Sequence, residues 1–214
     1  MYRTISIIVL IATFGGIAIS CIVRPYCDCW RHPCKSLVRL FTMLFVEQKL
    51  SLMGMLRKLL FLLALVGFVL LAFTGLWHPL VNGQHIQGYM MMIHATFAPI
   101  FAICLAVLAI MWARNCCYNA CDWPWLQGII RRATLVKTEC TEDKRPGAAL
   151  SKTTFWLIVV LSLPLIMSIV LSMLPLAGTH WQHVLMDVHR YVGILFAAVA
   201  LVHLHLMIRL QMRH

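Results

Sequence analysis

Five apolar runs of about 20 residues, each long enough to cross a hydrocarbon layer as a helix, divide this chain. They lie near 4–23, 59–77, 89–112, 153–174 and 187–208, with polar or charged stretches between them. The pattern predicts an all-α fold, a polytopic membrane bundle of five transmembrane helices that occupies residues 1–214 as a single integral-membrane domain. The connections are unequal: 24–58 and 113–152 are long, whereas 78–88 and 175–186 are short. Within the first long loop, KSLVRLFTMLFVEQKLSLMGMLRK is apolar but carries Arg39, Glu47 and Lys49. It suits either a helix lying in the membrane interface or a long N-terminal end of the second span.

Composition narrows the class. Hydrophobic residues make up 62% of the chain and charged residues 12%, which leaves the range of soluble globular domains. A net charge of +11 would suggest nucleic acid in a soluble protein, but its distribution gives a different reading. Arg24, Arg31, Lys35, Arg39, Lys49, Arg57 and Lys58 precede the second span, and Arg114, Arg131, Arg132, Lys137, Lys144, Arg145 and Lys152 precede the fourth. Arg209 and Arg213 follow the last. The positive-inside rule therefore predicts cytoplasmic long loops and C-terminus, with the N-terminus and both short loops outside. The expected surroundings are membrane lipid, not nucleic acid.

The cysteines fit that orientation, because none of the nine lies in an outward loop. Cys27, Cys29, Cys34, Cys116, Cys117, Cys121 and Cys140 fall on the reducing side, where structural disulfides are not expected. The first span ends on Ser20 and Cys21, with Ala18 three positions before the cysteine, and so imitates a secretory signal. Cleavage there would place a basic, cysteine-rich loop outside, and only Arg3 precedes the apolar run, so an uncleaved span is expected.

Candidate chemistry lies in the histidines. The last span, DVHRYVGILFAAVALVHLHLMIR, carries His189, His203 and His205, and titratable side chains are expensive at such depth unless they have a role. At roughly 100° per residue, His203 returns to nearly the face of His189, about 21 Å further along the axis. His205 points elsewhere. His94 in the third span precedes Arg114 by twenty residues, and His189 precedes Arg209 by twenty. Since both spans run from outside to inside, His94 and His189 should share one depth near the outer surface, where they could face each other.

The match extends further. PLVNGQHIQGYMMMIHATFAPIFAICLAV aligns with PLAGTHWQHVLMDVHRYVGILFAAVALVH if one loop residue is gapped, so His85 matches His180 and the second and third spans look like a weak copy of the fourth and fifth. The position matching His203 is Leu108.

Bis-histidine ligation of haem b needs two neutral imidazoles on opposite sides of the porphyrin, with small residues where the ring lies flat. Ala98 follows His94 by four residues and Gly193 follows His189 by four, so the ring edge would press there. Arg190 and the outer-loop histidines could meet the propionates. The plainer account is a pair of interfacial histidines reaching the headgroups, as Trp181 and His183 could. A second haem would use His203, for which Cys104 and Met111 are the conceivable partners. Otherwise His203 and His205 hydrogen-bond within the bundle or line a quinone pocket. Gly67 and the Thr74–Gly75 pair would admit a neighbouring helix or a flat cofactor to the second span, which supplies no ligand. The fourth span, with Pro164, reads as scaffold.

Cys27, Cys29, His32 and Cys34 could supply soft metal ligands, but they lack CxxC spacing, and reduced thiols packed against a partner or the membrane surface are the favoured account. There is no CxxCH, which excludes covalently attached haem c within the chain. Nothing matches a phosphate loop, a nucleophile triad or paired carboxylates.

On His94 and on HRYVGILFAAVALVH with its fourteen-residue step, the chain resembles the small five-helix b-type cytochrome subunits of bacterial and archaeal membrane redox complexes. These include the gamma subunit of respiratory nitrate reductase and the cytochrome b subunits of sulfate reducers' transmembrane complexes. The four-span cytochrome b subunits of formate dehydrogenase and hydrogenase are similar in that step too. The resemblance implies a multi-pass haem b subunit of the prokaryotic cytoplasmic membrane, an electron-transfer component of an oxidoreductase complex and not a complete enzyme. It implies exchange with a quinone pool or a periplasmic multihaem cytochrome c outside, and an iron–sulfur subunit docked on the cytoplasmic loops. Such subunits commonly hold two haems through four histidines, and this chain departs from that pattern at Leu108. The competing class is a haem-free membrane protein, either a metal transporter using histidines and methionines or an assembly scaffold. A third reading has the chain itself oxidise quinol.

Overall fold

The computed structural model describes residues 1–23, 52–118, 148–174 and 178–211, and among these it is helical with no strand. The helices are α1 (Tyr2–Val23), α2 (Leu52–Trp77), α3 (Gly88–Ala113), α4 (Ala148–Met173) and α5 (Thr179–Gln211), and a π-helical turn, His78–Asn82, extends α2. All five are long and apolar enough to cross a membrane. Inside hydrocarbon each peptide group must be satisfied within its own segment, so uninterrupted helix is the stable form of such runs. Large apolar side chains are exposed along them, Ile110 at 79% and Leu163 at 62%, as lipid-facing positions allow. Hydroxyls follow the same rule, turning back to a carbonyl one turn earlier: Thr13 to Val9, Thr96 to Met92, Ser162 to Val159 and Ser172 to Ile169.

The chain divides into two compact units, Met1–Met111 and Trp112–His214. In the first, α2 and α3 form a hairpin in which Gly67 sits so close to Phe101 that an added Cβ would lie 3.4 Å from its side chain. The N-terminal part of α1 meets the π-helical turn, and Ser6 is fully buried there. In the second unit α4 and α5 pack along their lengths as an antiparallel pair. Phe155 and Ile158 of α4 and Ile194, Phe196, Ala197 and Ala198 of α5 are buried, and so are the hydroxyl residues Ser151, Thr154, Ser162 and Ser168. Small residues and hydroxyls at the interface are what membrane helices pack with, since lipid offers no hydrophobic drive between them. The segment preceding α4 is tied to it at two points. Trp156 Nε1 donates to the Cys116 carbonyl at 2.9 Å, and Tyr118 donates its hydroxyl proton to Thr153 Oγ1 at 3.1 Å. Burial there pushes the Cys116 thiol above its ordinary value, with nearby Lys152 opposing, so it stays protonated.

Three boundaries differ from the apolar pattern. Helix α2 begins at Leu52, so residues 52–58 continue the second span and do not form a separate interfacial helix; the rest of that segment lies outside the described residues. The π-helical turn, with Pro79 near its start, carries the helix to Asn82, and Gly83 at φ 66° ends it. The expected outer loop 78–88 is thereby shortened. Helix α5 begins at Thr179, inside the expected loop 175–186. Its 33 residues measure about 50 Å against a hydrocarbon layer of about 30 Å, so polar turns carrying His180, His183 and Asp187 extend the apolar run. Hydropathy marks where lipid is tolerated, whereas backbone hydrogen bonding continues until a breaker intervenes.

Candidate functional site

Each candidate ligand sits on the third or fifth helix and is held by the helix preceding it. In the first unit, His94 lies on α3 with Nδ1 3.0 Å from Thr74 Oγ1 on α2. The Thr74 hydroxyl also donates to the Leu70 carbonyl at 2.7 Å, the shortest of its contacts, which leaves its lone pairs towards His94. A hydroxyl so committed receives the His94 Nδ1–H on a lone pair. Gly75 flanks the same ring, where an added Cβ would stand 3.1 Å from Cε1.

In the second unit, His189 on α5 donates Nδ1–H to the backbone carbonyl of Leu165 at 2.9 Å. That carbonyl follows Pro164 within α4 and also accepts from Ser168 at 3.1 Å. The acceptor leaves no choice of tautomer: a carbonyl oxygen has no proton to give. His203 repeats the Thr74 arrangement, with Nδ1 2.8 Å from Thr154 Oγ1 while the Thr154 hydroxyl donates to the Ser151 carbonyl at 3.0 Å. One turn further, Met207 Sδ accepts from Ser151 at 3.4 Å, and the Phe155 ring lies 6.4 Å from the His203 ring, centroid to centroid.

The common result is chemical. With Nδ1 protonated and engaged, a neutral imidazole carries its coordinating lone pair on Nε2. Metal-bound histidines are held in this way, through the nitrogen that does not face the metal. The donor chemistry therefore fits haem iron: three imidazoles, each orientated through Nδ1 by a group on an adjacent helix. His94 belongs to one unit and His189 and His203 to the other.

The remaining expected residues have plainer surroundings. Gly193 faces α4, and a Cβ there would meet Leu165 Cδ1 at 3.6 Å, an ordinary contact. Arg190 donates to Asp187 at 3.4 Å, an i, i+3 pair on α5. Leu108 is buried, as is Cys104 one turn before it. Among the described residues, no three His, Cys, Asp or Glu side chains gather as a metal site. Cys27, Cys29, His32 and Cys34 lie outside the described residues.

Sequence reasoning missed Thr154 and the Leu165 carbonyl, and treated α4 as scaffold when it anchors two histidines of α5, His189 and His203. A signal was available for the threonines. Thr74 and His94 are ten residues either side of position 84, within the turn, and Thr154 and His203 are nearly equidistant from Gly178. Residues equidistant from a hairpin turn come to the same depth. The same count brings Leu165 level with His189, each twelve residues from position 177, but does not say that its carbonyl is the acceptor. Set beside known protein families, curated proteins and solved structures, the chain matches none.

Proposed function

We propose that this chain is a haem b subunit of a respiratory electron-transfer complex, with His94 and His189 as the axial pair of an outer haem and His203 as the residue around which an inner haem would be held. The observation that carries this reading is the engagement of Nδ1 in His94, His189 and His203 by groups on the preceding helix. The pairing of His94 with His189 rests on their equal offsets from Arg114 and Arg209. Haem, when bound, supplies one-electron redox chemistry. The residues of this chain present Nε2, hold each ring by its far nitrogen, and keep water away with apolar helix faces.

Charge asymmetry supports a cytoplasmic placement of the basic segments, where an iron–sulfur subunit would dock, and an outer exchange with a quinone or a periplasmic multihaem cytochrome c. Arg190, next to His189 in the chain, is the group that would meet a propionate.

Pyridine haemochrome of the purified chain tests the reading, with His94→Ala, His189→Ala and His203→Ala alongside. About one haem per chain, lost with His94→Ala or His189→Ala and retained in His203→Ala, is the outcome for a single outer haem. About two, with half lost in His203→Ala, adds the inner one. Well-folded protein without Soret absorbance sinks the proposal and favours metal transport or an assembly role.

A further inference from the structure

The structure assigns Thr74 and Gly75 together as the positioning element for His94, an inference that rests on the reading of His94 as a haem ligand. Thr74 is 2% exposed, so its hydroxyl has no water to turn to. With its proton committed to the Leu70 carbonyl at 2.7 Å, it can serve His94 only as an acceptor, at 3.0 Å. Gly75 completes the seat. A Cβ there would lie 3.1 Å from His94 Cε1 and 3.5 Å from Nδ1, so the ring edge that makes the hydrogen bond is also the edge laid against bare backbone. A ring turned to offer Nδ1 to iron would forfeit that bond and leave a buried hydroxyl lone pair unmet.

The consequence is electronic as well as geometric. Donation from Nδ1–H makes Nε2 more basic, and a more basic axial ligand favours ferric over ferrous iron. Thr74 thus acts through His94 on the outer haem's potential. His203 has the hydroxyl, Thr154, without the glycine: its neighbour is Phe155.

The test uses the full-length chain as Thr74→Val, which keeps shape and removes the acceptor, and Thr74→Ser, which restores it. Two readouts are taken. In protein prepared without haem, 15N spectra of labelled histidine, assigned by the signal lost in His94→Gln, are expected to show Nδ1–H in wild type and Thr74→Ser and a shift towards Nε2–H in Thr74→Val. In haem-loaded protein, the midpoint potential is expected to rise in Thr74→Val and return in Thr74→Ser, with haem retention weakened by about 10-fold or more in the valine variant. An unchanged tautomer and potential in Thr74→Val, in a wild type that binds haem normally, overturns the assignment of Thr74. Absence of haem from folded wild type overturns the haem reading instead, and the histidine spectra still decide whether Thr74 sets the ring.

Discussion

The two helical hairpins differ in polar load more than in frame. In the α2–α3 pair, the buried residues of α2 are Ala64, Gly67 and Thr74, and the one hydroxyl among them meets the one histidine, His94. In the α4–α5 pair, α4 buries Ser151, Thr154, Ser162 and Ser168, and α5 carries His189 and His203, both bonded to α4. At the position that aligns with His203 the first pair has buried Leu108. The comparison teaches that each of these histidines comes with a partner on the preceding helix, a hydroxyl for His94 and His203 and a backbone carbonyl for His189. A buried imidazole N–H without an acceptor is expensive in a membrane, so a ligand position is a property of two helices at once.

Installing a histidine without its acceptor is the strongest way to break this comparison. Leu108→His would bury an imidazole in a hairpin whose one buried hydroxyl on α2 already serves His94, and should destabilise the chain by about 2–4 kcal/mol, read as a lowered thermal midpoint in detergent. If the variant instead keeps its stability and gains a haem, Leu108 stands at a ligand position ready for use. Removing an acceptor is the next test. Thr154→Val takes one partner from His203, whose ring also meets the Ser151 backbone, and should lower stability by about 1 kcal/mol, with Thr154→Ser recovering most of it.

Gly75 beside His94 and Gly193 one turn after His189 give the smallest and most discriminating contrast. Gly75→Ala drives a methyl to 3.1 Å from His94 Cε1 and should reduce stability by about 1–2 kcal/mol while displacing the ring. Gly193→Ala meets Leu165 at an ordinary 3.6 Å and should change stability by less than about 0.5 kcal/mol. Equal losses in paired thermal melts would mean that close approach at His94 is no different from ordinary packing. If Gly193→Ala loses haem without losing stability, Gly193 serves a porphyrin face in addition to α4.

What this sequence determined by itself was whatever depends on neighbours along the chain. Five apolar runs specify five helices because hydrocarbon forces each backbone to satisfy itself locally. The fourteen-residue step from His189 to His203 follows from helix geometry alone. Even the Thr74–Gly75 pair was legible as a place of close approach, because small residues mean the same thing on any membrane helix. Only the tertiary structure decided what occupies that place, and that α4 supplies the acceptors for α5. A hydrogen bond between Thr154 and His203 joins residues 49 positions apart, and no local periodicity encodes such a pair. The Leu165 carbonyl was the least legible of all, since every residue has one and only packing selects which of them receives a proton from the next helix.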